Sequence, residues 1–279
     1  MRHDPMRLLS RFLLCLSYPR WRLGALAAIL LLVLGIAAGP LLAEPQLDGP
    51  LPDFDAAAEL DDPVAALPDL RGVPAGPKRK AAFLTMLVPI VEAENARIQA
   101  KREWLQALLE RPALPDAQER ERLAELCADY RLDCRGEGVD PRLLTRVDTL
   151  PLEMVVIQAV EESGWGTSRF ARQGNNLFGM RCFSDGCGLG QQGSGRRFQA
   201  FDSVQESVRA YLHNLNTHRA YERLRTRRAE LAAREDVSPE ALIATLDRYA
   251  VRADYRDVLL ALLRTNALLI RSHGSDDTA

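Results

Sequence analysis

The sequence lacks a basic excess, with 36 lysines and arginines against 38 aspartates and glutamates. Such a balance gives no support for a nucleic-acid partner, whose phosphates require clustered cations. Cofactor signatures are also missing. No glycine-rich dinucleotide fingerprint or P-loop stands out, so nucleotide and nicotinamide cofactors are unsupported. Histidines number 4, and no GxSxG nucleophile elbow accompanies them. No metal-ligand motif is present, and the expectation is a protein with neither cofactor nor metal. Cysteines are few, at 5. Cys15 lies apart, and the others fall in two local pairs, Cys127 with Cys134 and Cys182 with Cys187. Four cysteines allow three pairings, and short separation makes the two local bridges the preferred one. A zinc site competes, but no histidine lies near either pair and the spacing is wider than a zinc knuckle. Bridges of this kind persist in an oxidising compartment.

The N-terminus carries the one long apolar run. Leu23 to Ala43 holds no charge, and Arg20 and Arg22 precede it. A basic flank before about 20 apolar residues is a signal peptide or an uncleaved anchor. Either reading exports the rest of the chain, and residues 1–43 are assigned to this segment. Residues 44–77 are rich in Pro, Asp, Ala and Gly without periodicity, and read as a flexible linker. From Lys78, Phe83, Leu84, Leu87, Ile90 and Val91 recur at helical spacing, with Pro89 expected to kink or break the helix. Residues 78–138 read as a helical N-terminal subdomain, 139–271 as the active domain and 272–279 as a polar tail. Further helices are expected over Glu119–Tyr130, Pro141–Val147, Pro151–Ser163, from Ser203, over Pro239–Leu246 and over Tyr255–Leu269. Ser203 with Glu206 has the spacing of a capping box. Asn175 to Gln199 is rich in Gly and polar residues, and loops with a short hairpin are expected there. The arginines between Arg219 and Arg234 alternate with Glu222 and Glu230, which suits a solvated helix face.

Chemistry concentrates at Glu161-Glu162-Ser163-Gly164-Trp165-Gly166. Gly164 is placed to stop the preceding helix, and the glycines let backbone approach a ligand closely. Trp165 either packs over a carboxylate or offers a flat face to a sugar. An apolar neighbour raises a carboxyl pKa by desolvation, which is what a general acid needs to protonate a glycosidic oxygen. Glu161 is one residue away, so it points about 100° off around the helix and reads as a surface carboxylate.

Glu162-Ser-Gly-Trp-Gly166, followed by Asn175-Asn176-Leu177-Phe178-Gly179, resembles the Bax-like branch of the bacterial peptidoglycan N-acetylglucosaminidase family. The stretches Phe201 to Tyr211 and Asn214 to Tyr221, then Tyr249-Ala250 and Tyr255, resemble the same branch in the same order. The resemblance spans about 139 to 269. It implies an α+β, lysozyme-like fold, mostly helical, with a small β-lobe flanking a substrate groove. It also implies Glu162 as the catalytic acid and Tyr255 near the catalytic centre. Trp165, Asn175, Asn176, Phe178 and Tyr249 become candidate substrate-binding residues, with a structural role open for both asparagines and a core role for Phe178. The implied substrate is the glycan strand of peptidoglycan, met outside the cytoplasm. The inner membrane is a further partner if the anchor is retained.

The chain departs from the pattern at one point. Many members carry a second Glu in the β-lobe, and here no Glu lies between Glu162 and Glu206. Asp185, inside the Cys182–Cys187 segment, is the remaining candidate for a base. The gap leaves three readings open. One is hydrolysis assisted by the substrate's 2-acetamido group, and another is a lytic transglycosylase with one Glu. The third is an inactive wall-binding protein.

Overall fold

The computed structural model describes residues 51–60, 66–247, 249 and 252–274. The apolar run at 23–43 and the tail beyond 274 lie outside the described residues. No helix among the described residues is long and apolar enough to cross a membrane.

Helices dominate. They are α1 (Pro77–Glu110), α2 (Ala117–Asp129), α3 (Pro141–Arg146), α4 (Leu152–Ser163) and α5 (Arg169–Gly174). After a small sheet follow α6 (Val204–Thr217), α7 (Glu222–Ala232), α8 (Pro239–Ile243) and α9 (Tyr255–Arg271). The strands β1 (Arg181–Cys182), β2 (Leu189–Gly190) and β3 (Arg197–Phe198) form an antiparallel sheet in the order β1-β3-β2. This is the mostly helical α+β architecture with a small β-lobe that the resemblance implies.

The centre is α4. Met154, Val155, Val156, Ile157, Ala159 and Val160 are all buried, so the helix is covered on every side rather than along one stripe. Its neighbours are α1, α8 and α9. Burial of a Val, Ile or Met side chain contributes roughly 1.5–3 kcal/mol, which makes α4 the main anchor of the fold.

Pro89 does not break α1, which runs unbroken for 34 residues. Pro89 and Thr85 are both exposed. The Thr85 carbonyl, deprived of its i+4 donor, therefore faces solvent, where the loss costs least. Buried polar groups join α1 to its neighbours. Asn95 donates through Nδ2 to the Leu150 carbonyl at 2.8 Å and accepts from Leu150 N at 3.2 Å. The fully buried Glu94 pairs with Arg97 at 3.1 Å and Arg209 at 3.0 Å, and accepts from Gln205 at 2.9 Å.

The stretch read as a flexible linker is packed where it is described. Phe54, Ala58, Leu67 and Leu70 are buried. The Phe54 ring meets Trp104 edge-on, with centroids 5.9 Å apart. These apolar anchors are too widely spaced to show as a periodic element, and each costs more exposed than bound.

Both local disulfides form, Cys127–Cys134 and Cys182–Cys187. The expected hairpin is three two-residue strands, and Arg197 holds them. Its guanidinium donates to the carbonyls of Cys187, of Gly186 at 3.1 Å and of Gly188 at 2.7 Å. Gly188 to Gly193 does carry the GxGxxG spelling. It lies in β2 and the turn towards β3 with no helix after it, so the strand–turn–helix phosphate cradle is absent. Ser203 caps α6 by accepting from Glu206 N at 3.0 Å, and Glu206 reaches back to Asp202 N at 2.8 Å.

The arginine-rich stretch is not wholly a solvated face. Arg225 and Arg228 on α7 are buried. Arg228 donates to the carbonyls of Asp148 and Thr149 at 3.0 Å and of Thr145 at 3.1 Å, and pairs with the Asp148 carboxylate at 3.2 Å. Carbonyls at the end of α3 and in the loop to α4 create this demand, and composition does not reveal them.

Candidate active site

Glu162 sits in the last turn of α4, half-buried. Gly164, Trp165 and Gly166 follow at φ +58°, +57° and +75°. Three successive left-handed residues turn the chain sharply, and Ser163 Oγ locks the turn by accepting from Gly166 N at 2.9 Å. Glycine adopts this conformation freely, whereas at Trp165 it costs about 1–2 kcal/mol. Strain of that kind persists only where packing over-determines it. Here the Trp165 ring meets Phe83 of α1 with centroids 5.8 Å apart, and the Lys80 ammonium lies 5.1 Å from its centroid. Trp165 thus ties the turn to α1.

Burial raises the pKa of Glu162 above the ordinary carboxylate range. A hydrogen bond from Tyr255 and the more distant Arg252 work against that rise, and Glu161 adds to it. Glu161 is held by Arg252 at 2.9 Å, in keeping with a surface role.

A polar relay approaches Glu162 from inside the core. Tyr211, fully buried, donates its hydroxyl to Gln158 Oε1. Gln158, also fully buried, donates through Nε2 to the Tyr255 hydroxyl at 3.2 Å. That oxygen accepts from Gln158, so its own proton is free to point at Glu162, to which Tyr255 is hydrogen-bonded. Burial raises the pKa of Tyr211, Tyr249, Tyr221 and Tyr255, so all four remain neutral at physiological pH. Tyr249 stacks on Tyr255 at 5.5 Å, lies 6.1 Å from the Tyr221 ring, and donates its hydroxyl to the Phe178 carbonyl at 3.0 Å.

Gly179 closes the other side. Its φ is +62°, and a Cβ there would stand 3.0 Å from Glu162 Oε2. Gly179→Ala is therefore expected to displace the carboxyl as well as strain the backbone. Misplacement of a reacting group by about 1 Å can cost 10²-fold. The expected result is a kcat loss of roughly 10–100-fold with a small shift in melting temperature, read by kinetics beside calorimetry.

The other sequence candidates divide. Asn176 is buried, and its amide is saturated by the carbonyls of Met180 and Gln199, both at 2.8 Å, and by Met180 N at 2.9 Å. Asn175, at φ +50°, ends α5, accepting from Leu67 N at 3.0 Å and donating to the Phe201 carbonyl at 3.1 Å. Phe178 is core, stacked on Tyr211 with centroids 3.9 Å apart. These three residues hold the loop that carries Gly179. Asp185 is exposed in the disulfide loop, and no hydrogen bond or ion pair joins it to Glu162. Sequence reading missed Gln158, although a signal existed. It is the one polar residue between Met154 and Val160, and it stands four residues before Glu162, on the same helix face. Among the described residues no cluster of His, Cys, Asp and Glu is arranged to hold a metal ion.

The protein Bax of Escherichia coli (strain K12) is 40% identical to this chain over 214 residues, covering 75% of the chain and 77% of that protein. The catalytic domain of the autolysin Auto from Listeria monocytogenes is a structural neighbour at TM-score 0.40 and 15% identity, over 72% of this chain and 91% of that one. Residues 142–268 match the Glucosaminidase family model, described as mannosyl-glycoprotein endo-beta-N-acetylglucosaminidase. With its central acid framed by this sequence context, the chain belongs to the glucosaminidase family of glycoside hydrolases, in its Bax-like branch.

Proposed function

We propose that the protein hydrolyses the β-1,4 bond on the reducing side of N-acetylglucosamine in peptidoglycan, with Glu162 as general acid. The observation that carries this reading is the Glu162 carboxyl, desolvated and lying between the Tyr255 hydroxyl and Gly179. A raised pKa keeps it protonated nearer neutrality, ready to protonate the leaving oxygen. The N-terminal segment at 23–43 delivers the enzyme to the extracytoplasmic side, and an uncleaved segment holds it at the inner membrane.

Glu161, the other carboxylate that acts on Glu162, is engaged by Arg252. An inverting pair needs two carboxyl groups about 6.5–9.5 Å apart to admit water. The reading therefore assigns the second role to the substrate's own 2-acetamido group, with Asp185 as a base only if its loop closes over the groove. The same observation favours a second reading, a lytic transglycosylase in which Glu162 acts first as acid and then as base. Mass spectrometry of digested peptidoglycan, with and without borohydride reduction, separates the two. Reducible N-acetylglucosamine ends support hydrolysis, and anhydromuramyl ends would replace it with transglycosylation.

Tyr255→Phe tests the relay. The Tyr255 hydrogen bond holds the Glu162 pKa down, so its removal raises that pKa further. Activity requires protonated Glu162, so the alkaline limb of the pH–rate profile is expected to move to higher pH. An unmoved limb, or one shifted to lower pH, would rule out Tyr255 as a donor to Glu162.

A further inference from the structure

A cavity of about 500 Å³ opens between α3 and the start of α7, outside the catalytic centre. Its volume lies within the range of about 300–1,000 Å³ usual for ligand pockets. Arg131, Arg142, Arg146, Arg219 and Arg225 line it, against a single lining acid, Glu222. Arg142 is neutralised by Asp140 at 2.6 Å. Among the described residues the other four have no ion pair.

The floor is preorganised. Arg225 is buried, and its Nη1 donates to the carbonyls of Leu215 at 3.0 Å and His218 at 2.9 Å. Arg146 is half-buried, and its Nη1 donates to the carbonyls of Tyr130 at 2.6 Å and Arg131 at 3.0 Å. In each, Nε and Nη2 have no acceptor among the described residues. Burial and the neighbouring guanidinium lower the pKa of Arg225, and burial with repulsion from Arg142 and Arg131 lowers that of Arg146. Arg131 and Arg219 stand exposed at the rim, with guanidinium groups that make no hydrogen bond among the described residues. Mutually repelling guanidinium groups fixed around a cavity are stabilised by an anion, and their paired donors match a carboxylate.

The cavity is joined to the catalytic centre by one turn. Residues Arg219–Tyr221 form a 3-10 helix, whose Arg219 faces the cavity and whose Tyr221 lies against Tyr249. Peptidoglycan carries carboxylate-bearing peptide stems beside its sugars. Resting on the substrate reading above, we propose that this cavity is a subsite for the carboxylates of a peptide stem, and that it selects stem-bearing strands.

The test is calorimetric titration of the full chain carrying Glu162→Gln, which prevents turnover, with a soluble muramyl tetrapeptide. Arg131→Gln with Arg219→Gln, both at the exposed rim, is expected to weaken binding at least tenfold, as is amidation of the stem carboxylates. With Glu162 intact, the same double variant is expected to cut stem-free glycan at the unaltered rate. Equal binding by the double variant, or no stem binding by the parent, would overturn the proposal. So would binding of inorganic phosphate or anionic lipid vesicles without binding of the stem. Wild-type protein that cuts peptidoglycan without preferring stem-bearing strands defeats this inference and leaves the proposed function intact. Stem binding without any cleavage by the wild type defeats the proposed function alone.

Discussion

Glu162→Gln is expected to abolish glycan cleavage while glycan binding persists. General acid catalysis contributes typically 10²–10⁴-fold, so kcat should fall by about that factor or more. The amide keeps the shape of the carboxyl and can still meet the Tyr255 hydroxyl, but it has no proton to give. An inactive wall-binding protein would show no change, because binding alone needs no acid. Loss of binding together with cleavage would instead mark Glu162 as structural. Stability supplies an independent reading. Burial raises the folded-state pKa of Glu162 above its unfolded value of about 4.3. The native state therefore holds the proton more tightly, and the associated stability is present below about pH 4 and lost as pH rises through the folded pKa. Gln imitates the protonated form at every pH. Glu162→Gln should match the wild type in acid and melt a few degrees higher at alkaline pH, a trade common at strained active sites. Melting curves across pH check this, and a variant less stable than wild type at alkaline pH would contradict it.

Arg228→Ala is expected to cause the largest loss of stability. Its guanidinium serves the Thr145 carbonyl in the last turn of α3 and the Asp148 and Thr149 carbonyls of the loop to α4, and pairs with Asp148, all at a fully buried position. Removing one partner of a buried pair costs about 3–5 kcal/mol when the other charge is left unpaired, and here Arg102, 3.7 Å from the Asp148 carboxylate, sets the loss toward the lower end. Against a total stability of about 5–15 kcal/mol, that is a large share. Burial lowers the Arg228 pKa to about 10, so the side chain stays charged at neutral pH and the effect should not depend on pH near 7. Adding Asp148→Leu to Arg228→Met should recover part of the loss, since an apolar pair removes both of these charges, although Arg102 then loses its carboxylate partner. Recovery should stay incomplete, because the Thr145 and Thr149 carbonyls lose the Arg228 donor, whereas Asn216 still serves that of Asp148. Urea midpoints of the single and double variants measure this. A loss under about 1 kcal/mol for Arg228→Ala would show that the loop finds other donors or water.

What was legible in the sequence was local. Helix α6 follows from Ser203 as a cap and from Val208, Tyr211, Leu212 and Leu215 on one face. The end of α4 follows from Gly164, whose left-handed φ no β-carbon obstructs. The two disulfides join the cysteines closest in sequence. Glu162 was legible from its neighbours Ser163 to Gly166.

Other features were hidden because they depend on partners far along the chain. The tether-like composition of 51–76 conceals Phe54 and Leu67, whose partners, Trp104 on α1 and Asn175 at the end of α5, lie far along the chain. Sequence left a structural role open for Asn175 and Asn176, and their partners show only in the fold: Leu67 N and the Phe201 carbonyl for Asn175, Met180 and the Gln199 carbonyl for Asn176, while Tyr211 covers the Phe178 ring. Arginine 228 reads as one more charge on a solvated helix until the carbonyls of Thr145, Asp148 and Thr149 are brought to it.

By itself the sequence determined the family and most of the helices and singled out Glu162 as the candidate acid, since these rest on short-range pattern and on the chemistry of adjacent residues. Tertiary structure decided what surrounds the acid. Tyr211, Gln158 and Tyr255 form one relay only because α6, α4 and α9 meet in the core, and hydrogen-bond direction is a property of that meeting.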